Sequence, residues 1–223
     1  MGVESPARAA AAAAAAGLVR DGMTIGLGSG RAVWAVLELL RGRDIRAAVA
    51  SSRTEELLHE AGIELVELDG TARLELAIDG ADEIDARLGA IKGGGAALLR
   101  EKLLVCAADR FVIVCEASKR VERLGQNCAL PVEVVRFAWG DTRRRLLGLV
   151  ESAELRTGDD GAPIVTDEGH LLLDCRMPAS GDLNELASAI KSTVGVVEHG
   201  LFLGLASLAL VGNDDGSVER LEA

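Results

Sequence analysis

The chain has 223 residues, of which 49% are hydrophobic and 26% charged, so it carries enough apolar material for a packed core and is not a disordered chain. Its formal net charge of -11 and its aromatic content of 2% argue against general affinity for nucleic acids or anionic membranes. No run of 18 or more strongly apolar residues is present, so no membrane span is predicted.

The first predicted element is an alanine-rich helix in MGVESPARAAAAAAAAG (1–17). Ala9–Ala16 has high helix propensity, and Ser5 and Pro6 suit the N-cap and the first turn. Glu4 and the lack of a Leu/Val/Phe core argue against a signal peptide.

Four cysteines lie in or beside apolar stretches and form no C-x-x-C pair: Cys106, Cys115, Cys128 and Cys175. We expect them to be buried, reduced thiols of a cytoplasmic protein. The three histidines lack the spacing of a His/Cys zinc site, and His170 and His199 are predicted to be structural.

Up to residue 116, short apolar strands alternate with helical patterns. Strands are predicted at 23–28, 45–50, 63–68, 74–79 and 110–116, and helices at 31–41, 54–62 and 95–108. This alternation indicates βα units and an α/β fold with a mostly parallel sheet flanked by helices.

The pattern changes after about residue 127. The predicted elements are a strand at 130–135, an arginine-rich helix at 139–150, two strands within 162–177 around a turn at 167–169, and a helix at 182–191. The apolar run 205–212 is predicted to rejoin the first sheet. We therefore expect an α/β catalytic domain of residues 1–128 and 205–223, and a smaller α+β domain of residues 129–204.

A glycine-rich turn, GLGSGR (26–31), joins the first predicted strand to the helix after it. Its backbone N–H groups and the helix N-terminus suit a phosphate. The spacing fits neither the dinucleotide fingerprint nor the Walker A motif. A phosphate site and a purely structural turn both stay open on this evidence.

Four carboxylates crowd into DGADEID (79–85). Asp79 ends a predicted strand, and ligands of α/β sheets bind beyond such ends, so Asp79 and Asp82 are predicted to face a pocket. Glu83 and Asp85 come further past the strand and are predicted to serve the turn or the surface. A divalent metal is an alternative ligand for these acids, but Lys92 would compete with it, and we predict no metal.

Glu101 is the most informative residue of IKGGGAALLREK (91–102). Its helical neighbours three and four positions away are all apolar: Ala97, Leu98, Leu104 and Val105. Burial in such a stripe would raise its pKa and suit it to act as a base near neutral pH. The alternative is a glutamate at the stripe's edge paired with a lysine.

Two neighbouring features also suit a ligand. Gly93–Gly95 allow a close approach of backbone to a ligand, although they also fit a flexible loop tip. Lys119 follows a predicted strand, where it would hold a phosphate as a point charge or simply be solvated.

These motifs together resemble the ribose-5-phosphate isomerase A family. The matching pieces follow the family's order over nearly the whole chain: GLGSG (26–30), IDGADEID (78–85), IKGGGAALLREK (91–102), EASK (116–119), LPVEVV (130–135), VTDEG (165–169) and GVVEHGLF (195–202). The resemblance implies a Rossmann-like domain with an inserted ferredoxin-like domain. It also implies the interconversion of ribose 5-phosphate and ribulose 5-phosphate through an enediolate, in the pentose phosphate pathway. It implies no cofactor, a cytoplasmic location, and a homodimer or homotetramer.

The resemblance further implies roles for individual residues. Glu101 matches the general base, and Asp79, Asp82 and Lys92 match groups that assist ring opening and stabilise the oxyanion. The implied substrate-binding positions are Arg8, Ser29, Gly30, Arg31, Ala32, Gly80, Ala81, Gly93, Gly94, Gly95 and Lys119. Three of these positions depart from the family: Arg31-Ala32 replaces small hydroxyl residues, and Arg8 aligns with a lysine.

Two other functions suit related folds. A non-catalytic sugar-phosphate sensor would usually carry a DNA-binding unit, and no basic helix-turn-helix segment precedes residue 20. A sugar-phosphate deaminase or a CoA transferase is the second alternative, and release of ammonia would identify the deaminase.

Overall fold

The computed structural model describes residues 5–223, which form six α-helices and fourteen strands. In chain order they are α1 (Pro6–Ala16), β1 (Thr24–Leu27), α2 (Arg31–Leu39), β2 (Arg46–Val49), α3 (Ser52–Glu60), β3 (Glu64–Leu65), β4 (Leu76–Asp79), β5 (Glu83–Ile84), β6 (Ala90–Ile91), α4 (Leu98–Cys106), β7 (Phe111–Glu116), β8 (Leu130–Val134), α5 (Trp139–Leu146), β9 (Ser152–Leu155), β10 (Leu171–Arg176), α6 (Leu183–Lys191), β11 (Val196–His199), β12 (Leu201–Phe202), β13 (Leu208–Gly212) and β14 (Val218–Glu222). As predicted, Ser5 caps α1, because its Oγ accepts a hydrogen bond from the Arg8 N–H at 3.3 Å.

The largest sheet has seven strands in the order β14-β13-β7-β4-β1-β2-β3. All of its pairings are parallel except that of β13 with β14. The predicted α/β sheet is therefore confirmed, and the run 205–212 rejoins it through β13 beside β7.

Both faces of this sheet are covered, which explains its continuous apolar strands. Alternate residues of β7 serve different cores: Val112 and Val114 pack with residues of α1, α2 and α3, whereas Phe111 and Ile113 pack with α4. Within residues 5–223, α4 is the α-helix whose buried residues belong to this second core, and it carries Glu101 in its first turn.

Two smaller sheets complete the fold. An antiparallel four-stranded sheet has the order β11-β8-β10-β9, and its apolar face packs against α5 and α6 through Leu146 and Ile190. A three-stranded sheet, β12-β6-β5, joins residues 201–202 to the segment 83–91. The division into domains at residues 128 and 205 stays a prediction. No helix within residues 5–223 is long and apolar enough to cross a membrane.

Several details differ from the predictions, and the short strands β5, β6, β9, β11 and β12 were not predicted. Within 162–177 only the second half is a strand, since Pro163 and Val165 make isolated bridges alone. The terminal strand β14 was not predicted, because its pattern of exposed charges lacks a clear apolar alternation. The prediction that all four cysteines are buried holds for Cys115 and Cys175, whereas Cys128 is only partly buried. It is wrong for Cys106, which lies on the outward side of α4, one position beyond the buried Val105.

Candidate active site

A polar cavity of about 240 Å³ lies beyond the carboxyl ends of β1, β4 and β7. All eleven substrate-binding positions implied by the motifs line it, together with Asp82, Lys92 and Glu101. Asp79 is completely buried at the end of β4, directly behind Lys92. Sequence reasoning missed three further lining residues, Trp34, Val114 and Cys115.

Lys92 and two carboxylates form the buried centre of the cavity. The Lys92 Nζ lies 2.8 Å from Asp79 Oδ2 and 3.2 Å from Glu101 Oε2, and it donates a hydrogen bond to the Gly80 carbonyl at 2.8 Å. The Phe202 ring lies beneath the ammonium, 5.5 Å from its centroid. Three oxygen groups and one aromatic ring therefore surround the ammonium and fix its position.

Glu101 is buried, with only 4% of its surface exposed, as its apolar neighbours predicted. Within residues 5–223, the Lys92 ammonium is the ion-pair partner of both Glu101 Oε2 and Asp79 Oδ2, and neither oxygen accepts a hydrogen bond of good geometry. A buried carboxylate oxygen that faces a single ammonium keeps the capacity to accept a further hydrogen bond, which a substrate hydroxyl would supply.

The electrostatics of this centre favour a proton on Glu101. Desolvation raises the pKa of Glu101 to about 8; the Asp79 carboxylate raises it too, while Lys92 acts in the opposite direction. Desolvation also raises the pKa of Asp79, against the effect of Lys92. Burial alone would lower the pKa of Lys92, but the facing Asp79 and Glu101 raise it above its ordinary value. The result is a permanent cation beside a carboxyl that can exchange a proton near neutral pH.

Asp79 also ties two loops together. Its Oδ1 accepts hydrogen bonds from the N–H groups of Ser29 (3.2 Å) and Gly80 (2.7 Å). A Cβ at Gly28 would overlap the Asp79 carboxylate, so glycine is required where the first loop passes this side chain.

Asp82 and Glu83 are neighbours in the chain but have different surroundings. Asp82 lines the cavity, and its Oδ2 accepts a hydrogen bond from the Gly94 N–H at 2.8 Å. The prediction that Glu83 serves the surface is wrong: it is 1% exposed and accepts hydrogen bonds from the N–H groups of Gly125, Asn127 and Cys128. Its partners lie more than 40 residues away, so no local pattern revealed them. Asp85 keeps its predicted turn role, accepting from the Arg87 and Gly89 N–H groups.

One part of the cavity lining offers cations and a helix N-terminus. Gly30 precedes α2 with φ of 97°, a left-handed conformation that favours glycine. Arg31, Lys119 and Arg8 line the cavity here, and Arg8 is held by an ion pair with Glu116 at 2.9 Å. An anion such as a phosphate suits this side.

Cation and carboxylate pairing dominates the site. Within residues 5–223, no group of three or more His, Cys, Asp or Glu side chains is arranged to hold a metal ion.

His199 is buried near Lys102, and desolvation lowers its pKa to about 4. His170 bonds to the buried Glu133 through Nδ1 at 2.9 Å, so both histidines have the structural surroundings that were predicted.

Comparison with known proteins decides the family. The family model described as ribose 5-phosphate isomerase A (phosphoriboisomerase A) matches residues 47–216. The chain belongs to the ribose 5-phosphate isomerase A family. The family suggested by the sequence motifs is thereby confirmed.

Individual members of the ribose 5-phosphate isomerase A family match over almost their full length. The chain is 47% identical over 219 residues to ribose-5-phosphate isomerase A of Roseiflexus castenholzii, covering 95% of this chain and 94% of that protein. The ribose 5-phosphate isomerase of Plasmodium falciparum has a TM-score of 0.92 at 33% identity, covering 99% of both chains. A D-ribose-5-phosphate isomerase solved with phospho-erythronic acid has a TM-score of 0.93 at 32% identity, covering 100% of both.

Proposed function

We propose that this protein interconverts D-ribose 5-phosphate and D-ribulose 5-phosphate through an enediolate, with Glu101 as the base. Membership of the isomerase family and a neighbour solved with a phosphorylated sugar acid support the reaction. The observation that carries the mechanism is Glu101 itself, which is buried in the cavity with its Oε2 facing Lys92 and a pKa raised to about 8.

The chemistry needs one base and one site for negative charge. Glu101 takes the proton from C2 of the open-chain aldose, and the electrons move through the C1–C2 bond onto O1. The O2 proton passes to O1, and Glu101 returns its proton to C1 to give the ketose. One proton leaves C2 and one proton is returned to C1, so no outside reactant is consumed. While the enediolate exists, the proton on Glu101 exchanges with water.

The groups around Glu101 take complementary parts in this proposal. Lys92 holds positive charge 3.2 Å from Glu101 Oε2, which counters the charge that develops on the substrate oxygens. Asp79 fixes Lys92, and Asp82 on the cavity wall assists opening of the sugar ring. No cofactor takes part in the proposed steps.

Lys119 is proposed to bind the substrate phosphate, together with Arg8, Arg31 and the backbone of Ser29 and Gly30. Replacing it in K119A should raise KM about tenfold or more, since hydrogen bonds to charged groups are worth about 1.5–3 kcal/mol. We expect kcat to change little, because the phosphate is remote from C1 and C2. Steady-state kinetics of R120A, which removes the adjacent exposed arginine paired with Glu219, provides the control. An unchanged KM in K119A would argue against phosphate contact.

The raised pKa of Glu101 predicts the pH dependence of activity. The base must be ionised, so kcat/KM should rise with pH from 5 and level off above about 8. A profile measured from pH 5 to 10 tests this. A value that is already constant between pH 6 and 9 would contradict an essential base with a raised pKa.

The other functions considered above are distinguished by their products. A sensor would bind ribose 5-phosphate without forming ribulose 5-phosphate, and a deaminase would release ammonia from an amino sugar phosphate. The complete set of Glu101, Lys92, Asp79 and Asp82 around one cavity favours catalysis of the isomerisation. Parallel incubations with ribose 5-phosphate, assayed for ribulose 5-phosphate, and with an amino sugar phosphate, assayed for ammonia, separate all three.

Location and assembly are also proposed. Free thiols at all four cysteines suit the reducing cytoplasm. A homodimer or homotetramer is supported by two exposed apolar side chains, Phe137 (89% exposed) and Val194 (77% exposed). Both lie at the same end of the four-stranded sheet, where the Val135 N–H donates a hydrogen bond to the Gly195 carbonyl. Light scattering should then give two or four times the chain mass of 23.2 kDa.

A further inference from the structure

Arg156, just after β9, links the four-stranded sheet to the glycine loop of the cavity. Its Nη1 donates hydrogen bonds to the carbonyl oxygens of Gly93 (2.7 Å) and Gly94 (3.2 Å). Its Nε and Nη2 bond to the two carboxylate oxygens of Asp174 on β10, at 2.9 Å for Nε. The side chain is 13% exposed, so these partners replace most of its contact with water.

We propose that Arg156 is a positioning residue, which sets the direction of the peptide groups of Gly93–Gly95 and so aims a backbone N–H at the substrate oxyanion. This inference rests on the proposed function. It adds a residue from outside the cavity lining, 55 residues beyond Glu101 in the chain.

Peptide geometry carries the first step of the argument. In a trans peptide the C=O and the following N–H point in opposite directions. Arg156 draws the Gly93 carbonyl to one side, and the Gly94 N–H accordingly points to the other, where it donates to Asp82 Oδ2 at 2.8 Å. The peptide group between Gly93 and Gly94 is therefore held at both ends, by Arg156 at its carbonyl and by Asp82 at its N–H.

The same geometry applies to the next peptide. Arg156 also draws the Gly94 carbonyl, so the Gly95 N–H points away from the arginine. Across residues 5–223, no acceptor is paired with this N–H, and Gly95 lines the cavity. A donor held in place before the reaction is the arrangement that stabilises a developing oxyanion.

The loop needs such a clamp because of its composition. Three consecutive glycines have wide conformational freedom, and Gly93 has φ of 101°. A guanidinium holds two carbonyls and a carboxylate at once through its planar fork, which an ammonium does not reproduce. Asp174 fixes the plane of the guanidinium group. Its carboxylate also compensates the charge of Arg156 outside the cavity.

Kinetics of two variants test the proposal. We expect kcat to fall about tenfold in R156K and about 100-fold in R156A, the range seen when an oxyanion donor is lost or misplaced. KM should stay within about threefold, because the phosphate contacts are untouched. The matched control is R143A, which removes another arginine of the same unit, one that bonds to the Ala153 carbonyl and Glu154 rather than to the loop. Melting temperatures report any loss of stability.

The outcomes separate this proposal from the function on which it rests. If the wild type is active and both Arg156 variants keep kcat within threefold, the positioning role is overturned. A fall in kcat that R143A matches at an equal loss of melting temperature would also overturn it, because the role would then be structural. A wild type that forms no ribulose 5-phosphate would overturn the proposed function first.

Discussion

Replacing Glu101 by glutamine should lower kcat by about 10⁴-fold, at the upper end of what general acid–base catalysis contributes. The amide cannot accept the C2 proton, yet it preserves the size of the side chain within the apolar surroundings of Ala97, Leu98, Leu104 and Val105. We therefore expect the variant to fold and to bind ribose 5-phosphate nearly as well as the wild type.

Trp34 offers a direct readout of that binding. It lines the cavity, whereas Trp139, the second of the two tryptophans, lies on α5. In a W139F background, the change in fluorescence on adding ribose 5-phosphate should give similar Kd values with and without E101Q. The matched control is E56Q, which alters an exposed glutamate paired with Arg53. A kcat for E101Q within tenfold of wild type would remove Glu101 as the base.

Replacing Lys92 by methionine should cost about 3–5 kcal/mol of unfolding free energy at pH 8, since removal of one partner leaves buried charge uncompensated. Asp79 and Glu101 would then face each other without the ammonium that lies 2.8 and 3.2 Å from them. Activity should be lost as well, because no cation beside Glu101 would counter the negative charge that develops on the substrate oxygens.

The pH dependence of K92M follows from the direction of the pKa shifts. A carboxyl whose pKa is higher in the folded than in the unfolded protein binds its proton more readily when folded. The stability it contributes is present below the ordinary pKa of about 4.5 and is lost as pH rises toward about 8. Without Lys92 this loss should be larger, so K92M should be destabilised more at pH 8 than at pH 5.

Urea unfolding at both pH values measures this difference. K191M is the control, because Lys191 is half exposed and its ion pair with Glu198 is expected to contribute about 1 kcal/mol or less. If K92M differs from the wild type by less than 1 kcal/mol at both pH values, the buried cluster does not depend on its cation.

The sequence predicts the structural surroundings of those residues whose neighbours lie close to them in the chain. The burial of Glu101 follows from its apolar helical neighbours, and the parallel sheet follows from the alternation of strands and helices. Ser5 at the N-cap of α1 was likewise visible in the order of residues alone. In each case the forces that decide the structure act within one or two turns of chain.

Residues whose partners are distant in the chain could not be predicted in this way. Glu83 looked like a turn residue, but loop 125–128 buries it and supplies its hydrogen bonds. Arg156 stands in a charged segment with no motif, and only the packing of the four-stranded sheet on the glycine loop reveals its contacts. Trp34 carries no local signal either, since its role depends on the cavity that forms in front of α2.

The central claim, that Glu101 exchanges a proton between C2 and C1, is tested most directly by isomerisation in D₂O. EDTA-treated protein is incubated with ribose 5-phosphate, and NMR follows both sugars to equilibrium. The account predicts ribulose 5-phosphate with deuterium at C1 and recovered ribose 5-phosphate with deuterium at C2, both absent with E101Q. Product that carries no deuterium after many turnovers, or deuterated product formed equally fast by E101Q, would contradict it.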